Sequence, residues 1–335
     1  MMTRRGFGLT LAGAARAIAS GGRRVAVTVD DLPAARVSFT PDQLRSFPDF
    51  LKLSRRFLKA CKKRRAPLTG FVTEGFSPQL WAPSDLEVLL EDWLDSGAEL
   101  GNHTYSHPDL NKVSMERFQA DVVLGSSAID SVGARRDRKV RFFRHPYLHT
   151  GSDRATRHEI GQFLNRRGYR VAPVTIDTQD WLFAEVYSWA WSRRNQANCE
   201  AIRRAYLSYL GALVDHTQAI SAEALGREPP QVLLLHANAL NFDSIEQVLD
   251  VFVSRGYSFE SIEDALKDPA YEEDVPALGS WVHGWREVRE LEEKPDPSPE
   301  EFLGLLLEDY LLVRGHHPEK AMEPTKRLAD AQHDQ

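Results

Sequence analysis

The chain predicts an α/β fold, a parallel sheet or barrel wrapped by helices, and three observations point that way. Short β-branched runs alternate with amphipathic stretches from Arg24 to Ser254, the pattern of strands joined by crossover helices. The length, 335 residues, suits one large domain with appendages. Five short segments rich in Asp, His and Arg each fall at or just after the end of a predicted strand, where α/β folds gather their sites.

The elements follow in order. Residues 25–29 are β-branched and bounded by Gly21-Gly22 and Asp30-Asp31, which marks a buried strand. Residues 42–65 read as one helix with Leu44, Leu51, Phe57 and Leu58 towards a core. Its eight Lys/Arg between Lys52 and Arg65 form a solvated face, or else a contact for an anionic polymer. Residues 69–73 are a strand, and 84–95 a helix with Ser84 as N-cap, Glu87 closing a capping box and Gly97 as stop.

Residues 99–102 read as a strand end, 114–129 as a helix, 140–143 as a strand, 153–167 as a helix and 169–176 as a strand. Residues 184–225 are a long helical stretch carrying Trp189, Trp191, Tyr206 and Tyr209. Residues 231–235 are an apolar strand and 244–254 a helix that stops at Gly256. Past Asp268 the alternation ends in an appendage and tail, residues 269–335. Between 271 and 310 it holds twelve Asp/Glu against three Lys/Arg, a local -9 that leaves the rest of the chain near +3. Trp281, Val282 and Trp285 suit packing onto the barrel.

Hydrophobic residues at 42% and charged residues at 27% are values of a folded globular chain. The net charge of -6 speaks against a nucleic-acid partner, which calls for a basic surface. Cys61 and Cys199 form no CxxC and no framework, and read as helix residues. Residues 1–22 read as an export leader, since Thr3-Arg4-Arg5-Gly6-Phe7 resembles the start of a twin-arginine signal. A periplasmic or secreted location follows, with the cytoplasm as alternative. No segment approaches the roughly 18 apolar residues of a membrane span.

The chemistry lies in Thr28-Val29-Asp30-Asp31, His103-Thr104-Tyr105-Ser106-His107, Arg144-His145-Pro146-Tyr147, Asp177-Thr178-Gln179-Asp180-Trp181 and Leu234-Leu235-His236. One helical turn would put His103 and His107 on the same side, and with Asp31 they make a two-histidine, one-carboxylate set suited to zinc. Taken singly, each segment has a plain structural reading: Asp30-Asp31 a cap or turn, Arg144–Asp180 an ion pair, Trp181 core, His236 a histidine ending a strand. Together they supply metal ligands, a base and an acid. Paired carboxylates at the end of a buried strand are costly without such a role.

In order and approximate spacing these segments resemble the five motifs of the polysaccharide deacetylases, the NodB-type homology domain of carbohydrate esterase family 4. The resemblance runs from about residue 24 to 264, within a domain set at 23–268, and implies a distorted (β/α) barrel. Val29 stands where Phe is usual, His145 lies between Arg and Pro, and residues 184–230 read as an insertion.

By resemblance, Asp31, His103 and His107 would hold one divalent metal, zinc first and cobalt or nickel next. Asp30 would be the base and His236 the acid. Arg144 would orient Asp30, and Asp180 would hold Arg144. The backbone of Tyr147 would serve the oxyanion, and Trp181, Leu234 and Pro146 the substrate pocket. Asp177 would be supporting, and His145, His149 and His283 incidental. The implied activity is removal of acetyl groups from an acetylated carbohydrate. Hydrolysis of a cyclic imide or ureide, or a non-catalytic glycan- or metal-binding module, are the alternatives. The insertion's aromatics either stack on sugar rings or form the buried face of its helices.

Overall fold

The computed structural model describes residues 22–35, 39, 41–275 and 279–313. The leader motif and the tail histidines His316 and His317 lie outside the described residues.

Among the described residues eight strands form one sheet: β1 Arg24–Leu32, β2 Leu68–Val72, β3 Glu99–Asn102, β4 Phe142–Phe143, β5 Arg170–Val171, β6 Ile176–Asp177, β7 Gln231–His236 and β8 Ser258–Glu260. The helices are α1 Pro41–Leu44, α2 Phe47–Lys63, α3 Pro83–Asp95, α4 Met115–Leu124, α5 Ser127–Ala134, α6 Arg154–Arg166, α7 Asp180–Ser192, α8 Gln196–Leu225, α9 Ala239–Val253, α10 Ile262–Ala265, α11 Trp281–Val288, α12 Pro299–Leu303 and α13 Leu305–Val313. All strand pairings are parallel, in the order β5-β4-β3-β2-β1-β7-β6, with β8 on the start of β1.

The order forces the sheet to curl. β5 and β6 stand at opposite ends of the sheet, yet only residues 172–175 separate them. Seven flat strands about 4.8 Å apart would hold those edges roughly 29 Å from each other, whereas five residue steps reach at most about 18 Å. The run pairs on both sides: Ala172 N donates to Phe143 O (2.8 Å) and Thr175 N to Val232 O (3.0 Å). The result is a distorted (β/α) barrel whose seam is this run. The strand expected at 169–176 is therefore two short strands on opposite edges.

Strand alternation sorts the side chains. Val25, Val27 and Val29 enter the large core under the helices, while Ala26 joins Phe71, Phe142, Ala172 and Val232 in a second cluster. Thr28 and Asp30 continue the inward row towards the end where the chemical segments lie.

Other boundaries differ from the sequence reading for local reasons. Residues 42–65 break at Ser46, which caps α2 ahead of Pro48, and residues 114–129 break at Gly125, between α4 and α5. Helix α3 starts before Ser84: Ala82 is its N-cap, and Asp85 accepts from Ala82 N at 2.8 Å. Glu87 instead pairs with Arg135 at 3.0 Å.

The basic strip of α2 is taken up by acids. Arg55 meets Asp92 (2.5 Å), Arg56 meets Asp243 (2.7 Å) and Arg64 meets Asp250 (2.5 Å). Cys61 and Cys199 are free and buried.

In the α7–α8 hairpin, Tyr206 and Tyr209 are fully buried. Trp189 packs edge-on against Tyr310 of α13 at 5.9 Å, so three of these four aromatics are packing groups and Trp191 alone is exposed. The appendage covers the seam. Ser280 Oγ donates to Thr175 O and Trp281 N to Val174 O, both at 2.8 Å, and Val282 and Trp285 join the inner cluster. No helix among the described residues is long and apolar enough to cross a membrane.

Candidate active site

Two adjacent carboxylates point into the same space because β1 is irregular there. Its register against β2 shifts between Val29 and Leu32, and Asp31 has φ 64°. Regular alternation would send Asp31 outward. The bulge and the left-handed backbone turn it back beside Asp30, at a cost of about 1–3 kcal/mol typical of functional sites.

His103 leaves the end of β3, and His107 lies four residues on. The expected helical turn is absent. The segment is a loop in which Thr104 and His107 have φ 68° and 60°. Its shape is set by Asp121 of α4, which accepts from Tyr105 N (2.7 Å), Ser106 N (2.8 Å) and Ser106 Oγ (2.7 Å). Asn102 adds a bond from Thr104 N at 2.7 Å. At Gly125 a Cβ would lie 2.4 Å from Thr104 C, so α4 can approach this loop only with glycine there.

The two imidazoles nevertheless converge. His103 Nε2 and His107 Nε2 each lie 3.6 Å from Asp31 Oδ1. His103 Nδ1 donates to Arg144 O at 2.8 Å, which leaves the lone pair on Nε2, facing Asp31. Burial holds the His103 pKa down to about 3, so the ring is neutral as a ligand must be.

Arg144 is buried beneath Asp30, with Nη1 3.3 Å from Asp30 Oδ2 and Nη2 donating to Thr28 Oγ1 at 3.0 Å. Its guanidinium lies 4.7 Å from the centre of the Phe71 ring. Burial pushes Asp30 above the usual carboxylate range, and the Arg144 charge opposes it. Burial pushes Asp31 up to about 7, with Asp30 and Asp180 adding to it.

On the neighbouring strand His236 forms a different unit. Its Nδ1 donates to Asp180 Oδ1 at 2.5 Å, and its backbone N donates to Oδ2 at 2.8 Å. Asn238 Nδ2 (3.1 Å) and Asn241 Nδ2 also donate to Asp180 Oδ2. Asp180 therefore holds His236, not Arg144; the acid whose charge acts on Arg144 beside that of Asp30 is Asp177. Burial would depress His236, but the Asp180 charge and hydrogen bond override it and raise its pKa to about 10. Asp180, which burial would raise, is held below its ordinary value by the same partners.

Tyr147, at φ 57°, sets its ring 4.5 Å from that of His107, so the third segment borders the two histidines. Pro146 and Leu234 are buried, while Trp181 is half-buried against the large core. His145 is buried between Phe118 and Phe143. His149 donates through Nδ1 to Asp109 at 2.8 Å, tying the loop after Tyr147 to the loop after His107.

The donor set fits a divalent cation. Asp31, His103 and His107 present ligand atoms all within 4.8 Å of one another. The Oδ1 atoms of both Asp30 and Asp31 are buried without a hydrogen-bond partner, a condition that a cation relieves.

Residues 18–171 match the polysaccharide deacetylase family. Over that stretch the chain is similar to polysaccharide deacetylases. An uncharacterized 30.6 kDa protein from the fumA 3′ region of Geobacillus stearothermophilus is 21% identical over 218 residues, 65% of this chain and 67% of that protein. Among solved structures, the carbohydrate esterase family 4 pseudoenzyme BA3943 of Bacillus anthracis is 16% identical, covering 73% of this chain and 65% of its own, with a TM-score of 0.48. A family 4 carbohydrate esterase of Streptomyces lividans, in complex with acetate, is 20% identical over 73% of this chain and 95% of its own, with a TM-score of 0.44.

Sequence reasoning assigns no part in this site to Thr28, Asn102, Asp121, Asn238 or Asn241, and reads Tyr206 only as a sugar-stacking or buried aromatic. Asn102 and Asn238 lie within two positions of His103 and His236. Asp121 and Tyr206 lie on helices, away from the segments they serve, and nothing in their local sequence ties them to those segments.

Proposed function

We propose that this chain is a metal-dependent hydrolase that removes acetyl groups from an N- or O-acetylated sugar or polysaccharide. The observation that carries the reading is the meeting, at one end of the barrel, of the Asp31–His103–His107 set with two separate partnered units, Asp30–Arg144 and Asp180–His236. A divalent metal on those three ligands, zinc being the best match, would polarise the acyl oxygen and acidify water.

Asp30, held by Arg144, takes a proton from the water that attacks the acyl carbon. Burial favours this, because it raises the basicity of the carboxylate. The Tyr147 backbone N–H serves as donor to the oxygen that gains charge, a role worth about 3–4 kcal/mol in comparable sites. His236, held protonated by Asp180, gives its proton to the departing nitrogen or oxygen as the C–N or C–O bond breaks. Acetate and a free amine or hydroxyl result. Pro146, Trp181 and Leu234 would border the acetyl group, and an export leader at 1–22 would place the enzyme among extracellular polymers.

The test is acetate release from acetylated chito-oligosaccharides and acetylxylan by metal-stripped protein, with and without added zinc or cobalt. Release that depends on the metal is expected. No release on either substrate, despite stoichiometric metal binding, would overturn the acetyl-specific reading in favour of another amide or a non-catalytic role.

A further inference from the structure

The α7–α8 insertion lies behind His236, and one of its side chains reaches the Asp180 cluster. Tyr206 of α8 is fully buried, and its hydroxyl donates to Asn241 Oδ1 at 2.9 Å. Asn241 sits in the first turn of α9, where its backbone N donates to the side chain of Asn238, the helix N-cap, at 2.8 Å. Its Nδ2 donates both to Asp180 Oδ2 and to His236 O, the latter at 2.9 Å. A continuous chain of buried hydrogen bonds thus runs Tyr206, Asn241, Asp180, His236.

The direction of that chain matters. An asparagine amide has two nearly isosteric orientations, and only one aims its NH2 at a carboxylate. Turned over, Asn241 would set its carbonyl against Asp180 Oδ2, two buried acceptors face to face. Asp180 Oδ2 and His236 O, both acceptors, select the observed orientation, and the Tyr206 hydroxyl satisfies the Asn241 oxygen on the opposite side. Removing the hydroxyl would leave Asn241 Oδ1 buried and unpaired, and would loosen the amide's placement against Asp180.

We propose that the inserted helix α8 is part of the acid apparatus: Tyr206 positions Asn241, and Asn241 positions the Asp180–His236 pair. Both are positioning residues, acting on the reaction only through His236. The proposal rests on the reading of His236 as the general acid. It assigns the insertion a role in proton delivery that its other aromatics, packed against Phe183, Phe302 and Tyr310, do not share.

A control stands one turn away. Tyr209 of α8 is equally buried, but its hydroxyl has no hydrogen-bond partner. The experiment follows the His236 ring by NMR through a pH titration of the metal-free full chain, in the wild type, Tyr206→Phe and Tyr209→Phe. A drop in the His236 pKa of about half a unit or more in Tyr206→Phe, with none in Tyr209→Phe, is expected. In the metal-loaded protein the basic limb of kcat should fall by the same amount, with KM and metal affinity within about twofold of wild type. An unchanged His236 titration in folded Tyr206→Phe, or an equal shift in Tyr209→Phe, overturns the proposal. If Tyr206→Phe does not fold, Asn241→Ser answers the same question by the same readout. The titration needs no substrate, so a wild type that releases no acetate would sink the deacetylase reading and leave this result standing.

Discussion

The two halves of the candidate site are stabilised in opposite ways. On the ligand side, Asp31, His103 and His107 sit on backbone with positive φ at Asp31 and His107, and Asp31 Oδ1 has no hydrogen-bond partner. On the acid side, Asp180 is fully buried and receives four donors from His236, Asn238 and Asn241. The first half gathers Asp and His donor atoms within 4.8 Å of one another, and burial works against the Asp31 charge. The second is internally satisfied: burial opposes its charges too, but their mutual attraction and hydrogen bonds override it. A metal site needs the first condition, because donors already satisfied by the protein would have to be released before binding. A proton donor needs the second, because its pKa must stay fixed as substrate comes and goes.

The largest effect expected is on turnover, and it separates the halves. His103→Ala should lose both tight zinc binding and activity. His236→Ala should keep zinc binding, measured by calorimetry, and lose activity by about 10²–10⁴-fold, the range for a general acid. Loss of zinc binding in His236→Ala would erase the distinction.

A second comparison concerns stability without metal. The Asp31 pKa is raised by burial from 3.8 to about 7, so the folded state binds its proton more tightly than the unfolded state does. Its effect on stability grows more unfavourable as pH climbs through that interval. Asp180 is lowered, so it contributes stability above its unfolded value of 3.8, and that contribution is lost as pH falls through the folded value. At pH 8, metal-free Asp31→Asn should therefore be as stable as the wild type or more so. Asp180→Asn should be less stable by on the order of 3 kcal/mol, the cost of breaking a buried ion pair. Urea melts of the stripped proteins measure both, and a destabilised Asp31→Asn would contradict the strained-ligand picture.

A smaller effect is expected from Gly125→Ala, whose methyl group meets the Thr104 backbone. A cost of about 1–3 kcal/mol follows, together with weaker zinc affinity, since the histidine loop must shift. The acid side should be untouched, which His236 titration in the stripped variant would check.

Much of this was legible in the sequence. The alternation of strands and helices gave the barrel, because residues 25–29 and 231–235 announce their burial locally. The cluster of Asp31, His103 and His107 could be anticipated, since HxxxH and a paired Asp are short-range patterns. What could not be read is the geometry that makes them a site. Nothing in Asp30-Asp31 signals a bulge that turns both carboxylates to one side, and the spacing of His103 and His107 suggested a helix where Asp121 builds a loop. Residues 169–176 looked like one strand because the composition of a strand does not reveal where it finds partners.

By itself the sequence picked out the residues that meet at this end of the barrel and the strands that deliver them, since side-chain type and period are local properties of the chain. Only the tertiary structure decided which acid serves which base. Asp180 belongs to His236 and not to Arg144, and Tyr206 reaches both through Asn241, because those partners are chosen by strand order and helix packing across many intervening residues. Pairings of that kind depend on the whole fold satisfying its buried polar groups at once, a condition no local pattern can express.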